Sequence, residues 1–316
     1  CGIGITTIDD AAVRRHFGCA LSDVPRAAPK SVAVRAGRGG GKSSQLLAPK
    51  VLHAAWTVPV PDLARGEDAF SLIVAPTLEG AGQTFAFVRG IAEASPTLRA
   101  ALVGEPLAES LRLRRPDGRV CCIRTFAASR GGTNLRSRTL VGVAFDEAAF
   151  FRDQSSVVND KELFRAVLPR LVPGAQVWLA TTPWIAGVGV VEEEFARDFG
   201  KHASTLCVTA PTRALRPSWD PDGSLERAMR ADDPDMTERE IDAVPLPAGS
   251  SQFFAPAAID AAIDRERPFD LPPTEGVVYG AGGDAGFRRN SSTLAIVGRH
   301  GSRVRLALVR ELRPEP

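Results

Sequence analysis

Short apolar runs recur along the first two thirds of the chain, and polar or helix-patterned segments separate them. Strand-like runs occupy residues 31–35, 70–75, 120–126, 140–145, 175–180 and 202–208. Segments 45–56, 82–94 and 161–168 place apolar residues at helical spacing. Alternation of this kind is typical of a parallel sheet covered by helices. The pattern therefore predicts an α/β fold with a mostly parallel sheet and helices on both of its faces.

The pattern changes after residue 210. Prolines and acidic residues become frequent, and short helices are predicted at 224–230, 237–243 and 256–265. Strand-like runs then return at 276–280, 293–297 and 304–309. We predict a first domain over 1–210, a linker or small subdomain over 211–275, and the N-terminal strands of a second α/β domain over 276–316. Because the chain starts without Met and stops before that domain could close, we expect it to be a fragment.

Composition places few further limits on function. The 316 residues suffice for about two domains. The net charge is +2, so any nucleic-acid surface has to come from a local patch. The five cysteines contain no C-x-x-C pair, and the four histidines are scattered, which argues against a histidine metal site. Without a signal peptide or a transmembrane run, we expect a reduced intracellular protein that does not interact with membranes.

Residues 31–44 read SVAVRAGRGGGKSS, a β-branched strand followed by a glycine-rich turn. This is the layout of a phosphate-binding loop, or Walker A motif, although Ala36 stands where the usual pattern has its first glycine. Lys42 is predicted to bind the β- and γ-phosphates of ATP, and Ser43 to bind Mg²⁺. The backbone N–H groups of the turn and of the following helix would bind the same phosphates. These predicted contributors are Gly37, Gly39, Gly40, Gly41 and Ser44.

Residues 140–151 read LVGVAFDEAAFF, an apolar strand ending in two carboxylates. In a Walker B motif, Asp146 would hold Mg²⁺ through water and Glu147 would polarise the water that attacks the γ-phosphate. A further strand ends in Thr181 and Thr182, whose hydroxyls are candidates for sensing the γ-phosphate or for bonding Glu147. Each motif has an alternative interpretation when it is taken singly. The glycine-rich segment also fits a flexible loop, the Asp-Glu pair a solvated strand end, and the Thr-Thr-Pro segment an ordinary turn. Together they predict ATP hydrolysis.

The motifs in this order resemble the large terminase subunit of tailed bacteriophages, prophages and gene-transfer particles. The resemblance covers GRGGGKS (37–43), APTLEGAGQTF (75–85), DEAAFF (146–151), TTPW (181–184), SQFFAPAAIDAAI (251–263) and GAGGDAGF (280–287). It implies a DNA-packaging motor with a RecA- and helicase-like ATPase domain and a C-terminal ribonuclease-H-like endonuclease. It also implies that Arg38 is an arginine finger acting in cis.

For the nuclease, the resemblance implies that Asp284 is the first carboxylate ligand of a two-metal Mg²⁺ or Mn²⁺ site. The other ligands of the family would lie beyond Pro316, so we expect no competent nuclease in this chain. A turn residue in Gly-Gly-Asp-Ala-Gly is the alternative interpretation of Asp284.

The partners implied by the resemblance are double-stranded DNA, a small terminase subunit, the portal protein of the procapsid and further copies of the chain in a ring, in the cytoplasm of a bacterial host. Arg130, Arg136, Arg138 and the Arg288–Arg289 pair are candidate phosphate contacts. A superfamily 2 helicase or translocase is the nearest alternative, although no second parallel lobe follows residue 211. A P-loop small-molecule kinase and a degenerate scaffold are more distant alternatives.

Overall fold

The computed structural model describes residues 9–64, 66–128, 138–151, 160–247, 261, 263, 268, 270–284 and 292–312. The chain divides into two compact units, 1–251 and 252–316. Within the described residues, no helix combines the length and the apolar character that crossing a bilayer requires.

A seven-stranded sheet forms the centre of the first unit. Its strands are β1 (Ser31–Ala36), β2 (Ala69–Ala75), β3 (Ser110–Arg114), β4 (Val120–Ala127), β5 (Thr139–Asp146), β6 (Leu171–Thr181) and β7 (Thr205–Ala210). They lie in the order β3-β4-β2-β5-β6-β1-β7, and all neighbours are parallel except the β3–β4 pair. The predicted α/β fold is confirmed.

The strand prediction differs from the structure in one omitted strand and in several strand ends. The edge strand β3 was not predicted, and β7 begins at Thr205 rather than at residue 202. His202 has a φ of 50°, in the left-handed region, and therefore belongs to the turn that precedes the strand.

Helices connect the strands of the first unit. They are α1 (Asp10–Phe17), α2 (Ala48–Thr57), α3 (Leu78–Ala94), α4 (Pro96–Ala100), α5 (Asp160–Val167), α6 (Val190–Asp198), α7 (Thr212–Leu215), α8 (Ser224–Asp232) and α9 (Pro234–Glu240). Helix α9 starts three residues before the predicted position, because Asp233 caps it by accepting from the N–H of Met236 at 2.9 Å and Pro234 occupies the first turn. The predicted helix over 256–265 lies almost wholly outside the described residues.

Helices cover both faces of the sheet, as predicted. On one face, Val51 of α2 and Phe85 of α3 belong to the hydrophobic core. On the other, Leu163 of α5 and Phe195 of α6 pack against the central strands. Strand β5 lies between these layers and is buried along nearly its whole length, which fixes the position of its C-terminal carboxylates.

The strand register brings the predicted motifs to one edge of the sheet. Asp146 at the end of β5 is paired with Ala180, and Arg35 near the end of β1 is paired with Thr181. The carboxyl ends of three parallel strands therefore meet where the glycine-rich loop begins, which is where open α/β sheets bind ligands.

The second unit contains an antiparallel sheet of β8 (Val278–Asp284), β9 (Ser292–His300) and β10 (Arg303–Leu312), in the order β10-β9-β8. Its three strands overlap the three apolar runs predicted after residue 275. Asp284 is the last residue of β8 and is exposed.

Candidate nucleotide-binding site

The glycine-rich loop leaves β1 and turns sharply into a helix. Gly39 and Gly41 have φ values of 73° and 86°, which glycine adopts without steric cost. A π-helical turn begins at Lys42 and continues into α2, and the N–H of Gln45 donates to the Gly41 carbonyl at 2.8 Å. Local π-helical geometry is frequent at functional sites.

Gly37 is required for a different reason, a close approach between backbones. A Cβ atom at this position would lie 2.2 Å from Thr212 Oγ1 and 2.5 Å from the carbonyl oxygen of Ile241. The Gly37 N–H donates to the Ala210 carbonyl at 3.0 Å. The start of the loop is thus packed between the end of β7 and the segments that carry α7 and α9.

Lys42 is buried, and its ammonium group lies among the polar groups of the other motifs. Its Nζ donates to Thr182 Oγ1 at 2.8 Å and to the Ala36 carbonyl at 3.4 Å. Glu147 Oε1 lies 3.3 Å from the same nitrogen. One cation thereby connects the glycine-rich loop, the end of β5 and the end of β6.

Ser43 and Asp146 form the predicted cation-binding pair. Ser43 Oγ donates to Asp146 Oδ2 at 2.7 Å, and Thr84 of α3 donates its hydroxyl to the same oxygen. The other carboxylate oxygen, Oδ1, is buried and accepts no hydrogen bond from the residues that the structure describes. Oxygen ligands of this kind suit Mg²⁺, which keeps several of its waters, so the residues fit the ion.

Glu147 has a left-handed backbone, with φ 52° and ψ 47°. Its Oε2 accepts from the Thr182 N–H at 3.0 Å and from the Thr181 hydroxyl at 3.3 Å. Non-glycine residues in this conformation are uncommon and cluster at functional sites. The turn after β5 therefore holds the carboxylate against the end of β6.

A cleft of about 350 Å³ opens over these groups. It is bounded by the loop, the start of α3, the turn after β5 and the end of α9. The charged or polar side chains in its wall include those of Arg38, Ser43, Gln83, Asp146, Glu147 and Glu240.

Helix α9 holds the loop through Glu240. The Arg38 N–H donates to the Glu240 carbonyl oxygen at 2.5 Å, and Arg38 Nε lies 3.0 Å from Glu240 Oε2. The Thr212 hydroxyl donates to the Arg38 carbonyl at 2.8 Å. Segment 211–275 was predicted to be a linker or small subdomain, and its first part is in direct contact with the candidate site.

An aromatic pair lies beside this contact. The rings of Phe150 and Trp184 are 5.4 Å apart between centroids and meet edge to face. Arg239 Cζ lies 4.4 Å from the centroid of the Trp184 ring, and Arg239 also donates to Glu240 Oε1 at 2.8 Å. The turns after β5 and β6 are thereby connected to α9.

A buried ion pair lies just before the loop. Arg35 and Glu192 make two hydrogen bonds, at 2.8 and 2.5 Å, and Arg35 Cζ lies 3.8 Å from the centroid of the Phe195 ring. Burial lowers the pKa of Arg35 and raises the pKa of Glu192, although each charge opposes the shift of the other. Desolvation of the two groups therefore outweighs their attraction.

The remaining predicted residues lie elsewhere. Ser44 is half-buried beside Ser43. Asp284 belongs to the second unit, and no group of three or more His, Cys, Asp or Glu side chains in the described ranges could hold a metal ion. Arg130, Arg136, Arg288 and Arg289 lie outside the described residues. Arg138 stacks over Phe70 and Phe126, with 4.4 and 5.5 Å between its Cζ and the ring centroids.

Three residues of the site were not predicted from the sequence: Thr84, Trp184 and Glu240. Thr84 and Trp184 lie inside motifs that carry the terminase resemblance, APTLEGAGQTF and TTPW. No comparable signal marked Glu240.

The fold defined by these elements is an α/β fold with a P-loop at the carboxyl edge of the sheet. Neither a scan against protein-family models nor a search of curated proteins found a match for the sequence. Solved structures do match. The large terminase of a thermophilic bacteriophage superposes with a TM-score of 0.52 at 14% identity, covering 90% of this chain and 64% of that one.

The same phage terminase in complex with ADP superposes with a TM-score of 0.51 at 14% identity, covering 90% of this chain and 63% of that one. The large terminase of bacteriophage HK97 superposes with a TM-score of 0.50 at 13% identity, covering 91% of this chain and 59% of that one. At such identities the likeness establishes a shared fold. The chain spans about three fifths of the length of these terminases.

Proposed function

We propose that this chain hydrolyses ATP as the motor of a terminase-type DNA-packaging machine, moving double-stranded DNA into a procapsid. The observation that carries the proposal is the cluster of four side chains at the carboxyl edge of the sheet. Ser43, Asp146 and Glu147 lie in the wall of one cleft, and the buried Lys42 ammonium lies 3.3 Å from Glu147 Oε1. Fold likeness to large terminases, one of them solved with ADP, supports the same assignment.

Ser43 and Asp146 would hold Mg²⁺ with the nucleotide. The Ser43 hydroxyl donates its proton to Asp146, so its oxygen lone pairs are available to a cation. Held by these two residues, Mg²⁺ would supply positive charge that neutralises the phosphates of the nucleotide.

The remaining groups act on the γ-phosphate. Lys42 supplies a buried positive charge to the β- and γ-phosphates, and Glu147 is the group that accepts a proton from the attacking water. Thr181 and Thr182 hold the Glu147 carboxylate and so connect it to the end of β6. Arg38 is the proposed arginine finger in cis, because it lies in the wall of the same cleft.

DNA contact is proposed for an arginine face, defined here as Arg112, Arg114, Arg124 and Arg138. The pairing of β3 with β4 aligns Arg112 with Cys122 and Ser110 with Arg124, so the first three share one side of the sheet. Arg114 and Arg124 are exposed, and Arg112 pairs with Asp68 at 3.0 Å. Burial and the charge of Arg124 lower the pKa of Arg138. Guanidinium groups on aromatic supports suit sequence-independent contact with phosphates.

The wider assembly follows from the terminase proposal. It comprises a small terminase subunit, a portal protein and a ring of copies of the chain, in the cytoplasm of a bacterial host. We assign the ATPase domain to 1–210, a small subdomain to 211–275 and the first strands of a ribonuclease-H-like nuclease to 276–316. Asp284 is proposed as the first Mg²⁺ or Mn²⁺ ligand of that nuclease, which later residues of a longer chain would complete.

ATP hydrolysis with and without double-stranded DNA tests the proposal, with Glu147→Ala as the comparison. We expect the variant to lose about 10²-fold or more in kcat while retaining ATP binding. Stimulation by DNA without strand separation supports a packaging motor, and strand separation would favour a helicase. Failure of the wild-type chain to bind ATP would contradict the assignment.

A further inference from the structure

Thr84 links helix α3 to the proposed Mg²⁺ site. Its side chain is fully buried, and its hydroxyl donates to Asp146 Oδ2. Ser43 donates to the same oxygen at 2.7 Å. Two hydroxyls thus converge on one oxygen of the carboxylate, whereas the buried Oδ1 accepts none from the described residues.

The backbone that carries Thr84 is well anchored. Thr77 caps α3 by accepting from the Gly80 N–H at 3.1 Å, and Gly80 lies in the wall of the cleft one turn before Thr84. Phe85 and Val88 of the same helix are buried in the core. Thr84 therefore presents its hydroxyl from a rigid element, as accurate positioning of a ligand requires.

We infer that Thr84 is a positioning residue for the proposed metal-binding carboxylate: by donating to Asp146 Oδ2 it fixes the orientation of the side chain that would hold Mg²⁺. This inference rests on the proposed ATPase function. Partners that orient a metal ligand commonly contribute as much as about 10- to 100-fold to metal affinity or activity.

The two donors to Asp146 differ in what else they do. Ser43 is itself a proposed Mg²⁺ ligand, so its oxygen has to serve the cation and the carboxylate together. Thr84 has no such second task, since it belongs to α3 and is fully buried. It is thus the donor that holds Asp146 independently of the cation.

Two matched pairs isolate the hydroxyl: wild type against Thr84→Val, and Thr84→Ser against Thr84→Ala. In each pair the shapes are similar and only one member can donate to Asp146. Thr125→Val serves as a control, because Thr125 is buried in β4 and donates to the Glu109 carbonyl at 3.3 Å, away from the cleft.

The first readout is the affinity for ATP measured by calorimetry in EDTA and in excess Mg²⁺, and the second is the Mg²⁺ concentration that half-saturates hydrolysis. For Thr84→Val and Thr84→Ala we expect unchanged ATP affinity in EDTA and a smaller increase of ATP affinity on adding Mg²⁺. The Mg²⁺ concentration that half-saturates hydrolysis should be about 10-fold or more above that of the variant or wild type that carries the hydroxyl. The half-saturating Mg²⁺ concentration of Thr84→Ser should stay within about 3-fold of the wild-type value, and that of Thr125→Val should equal the wild-type value.

Equal enhancement by Mg²⁺ in both members of each pair, with wild type active, would overturn the inference and leave the ATPase proposal intact. A wild-type chain that does not bind ATP in either condition would overturn both. If Thr84→Val does not fold, the Ser and Ala variants alone decide the question, because they differ only by the hydroxyl.

Discussion

Arg38 Nε lies 3.0 Å from Glu240 Oε2, and this contact joins the glycine-rich loop to the end of α9. Glu240 Oε2 accepts no hydrogen bond from the described residues, so the contact is ionic. The Arg38 side chain is 77% exposed and that of Glu240 only 6%. Because solvent screens the exposed guanidinium, the contact contributes about 1 kcal/mol or less. Arg239 also donates to the Glu240 carboxylate, so this buried group keeps a cationic partner when Arg38 exchanges it for a phosphate oxygen.

Glu240→Gln is expected to raise kcat by about 2- to 5-fold, because an ion pair worth about 1 kcal/mol or less no longer competes for Arg38. The backbone hydrogen bond between residues 38 and 240 is unaffected by this change. Steady-state kinetics would measure it, with Arg38→Ala as the comparison, which we expect to lose about 10³-fold in kcat. A loss in Glu240→Gln as large as that in Arg38→Ala would mean that Glu240 orients Arg38 productively.

Gly37→Ala is expected to displace the loop, because the new Cβ would lie 2.2 Å from Thr212 Oγ1 and 2.5 Å from a backbone oxygen. We expect the unfolding free energy to fall by about 1–3 kcal/mol and ATP affinity to fall with it. Urea unfolding and nucleotide titration would measure the two effects.

Gly82→Ala provides the matched control, since a Cβ atom there meets nothing within 4 Å and the residue lies inside α3. This substitution should stabilise the protein by about 0.5–1 kcal/mol and leave ATP affinity unchanged. If Gly37→Ala and Gly82→Ala lost similar amounts of unfolding free energy and ATP affinity, the close backbone approach at Gly37 would not be the cause of these losses.

Arg114→Glu and Arg124→Glu, separately and together, test the arginine face. Each should weaken binding to duplexes of any sequence and lower the salt dependence of log K by about one unit per contact removed. Fluorescence anisotropy at several salt concentrations would measure this. Arg15→Glu is the control, because Arg15 is exposed on α1, which packs by β7 at the opposite edge of the sheet. Equal weakening in all variants would indicate a general charge effect.

Arg35→Met leaves Glu192 buried without its charge partner, so we expect a loss of about 3–5 kcal/mol in unfolding free energy. The unfolding free energy of the double variant Arg35→Met/Glu192→Leu should lie within about 1 kcal/mol of the wild-type value, because the buried unpaired carboxylate is no longer present. Urea unfolding of wild type, Arg35→Met, Glu192→Leu and the double variant would measure the coupling between the two residues.

The pH dependence provides a second check on this pair. The pKa of Glu192 is raised by burial, so the folded chain binds its proton more tightly than the unfolded chain does. The stability that this proton contributes is present below the unfolded pKa and is lost as pH rises through the folded pKa. The loss of unfolding free energy in Arg35→Met relative to wild type should therefore become smaller as pH falls. A loss that becomes larger on acidification would contradict the interpretation of Glu192 as a buried carboxylate paired with Arg35.

The central strands were predictable because burial on both faces produces continuous apolar runs, as in β5. Strand β3 alternates leucine with exposed arginine in SLRLR, and this short edge strand was missed. Lys42, Ser43 and Asp146 could be proposed from the sequence because each belongs to a local pattern, a loop or a strand end, whose chemistry depends on spacing.

Thr84 and Glu240 were not recognisable because their contacts join distant parts of the chain. Thr84 reaches Asp146 across 62 positions, and nothing in the helical pattern of α3 distinguishes it from other buried residues. Glu240 lies in a polar, proline-rich segment whose composition suggested a solvent-exposed surface. Such contacts follow from the topology of the sheet and from the way α9 returns to the loop.

Trp184 is positioned to serve as an intrinsic fluorescent probe of the cleft. Its indole ring contacts Phe150, which lies in the cleft wall, and stacks under Arg239, the neighbour of Glu240. A change in any of these contacts alters the polarity around the ring and hence its emission. With the other tryptophans, Trp56, Trp178 and Trp219, replaced by phenylalanine, stopped-flow fluorescence would follow the turn after β5 and the end of α9 in real time, without an attached dye.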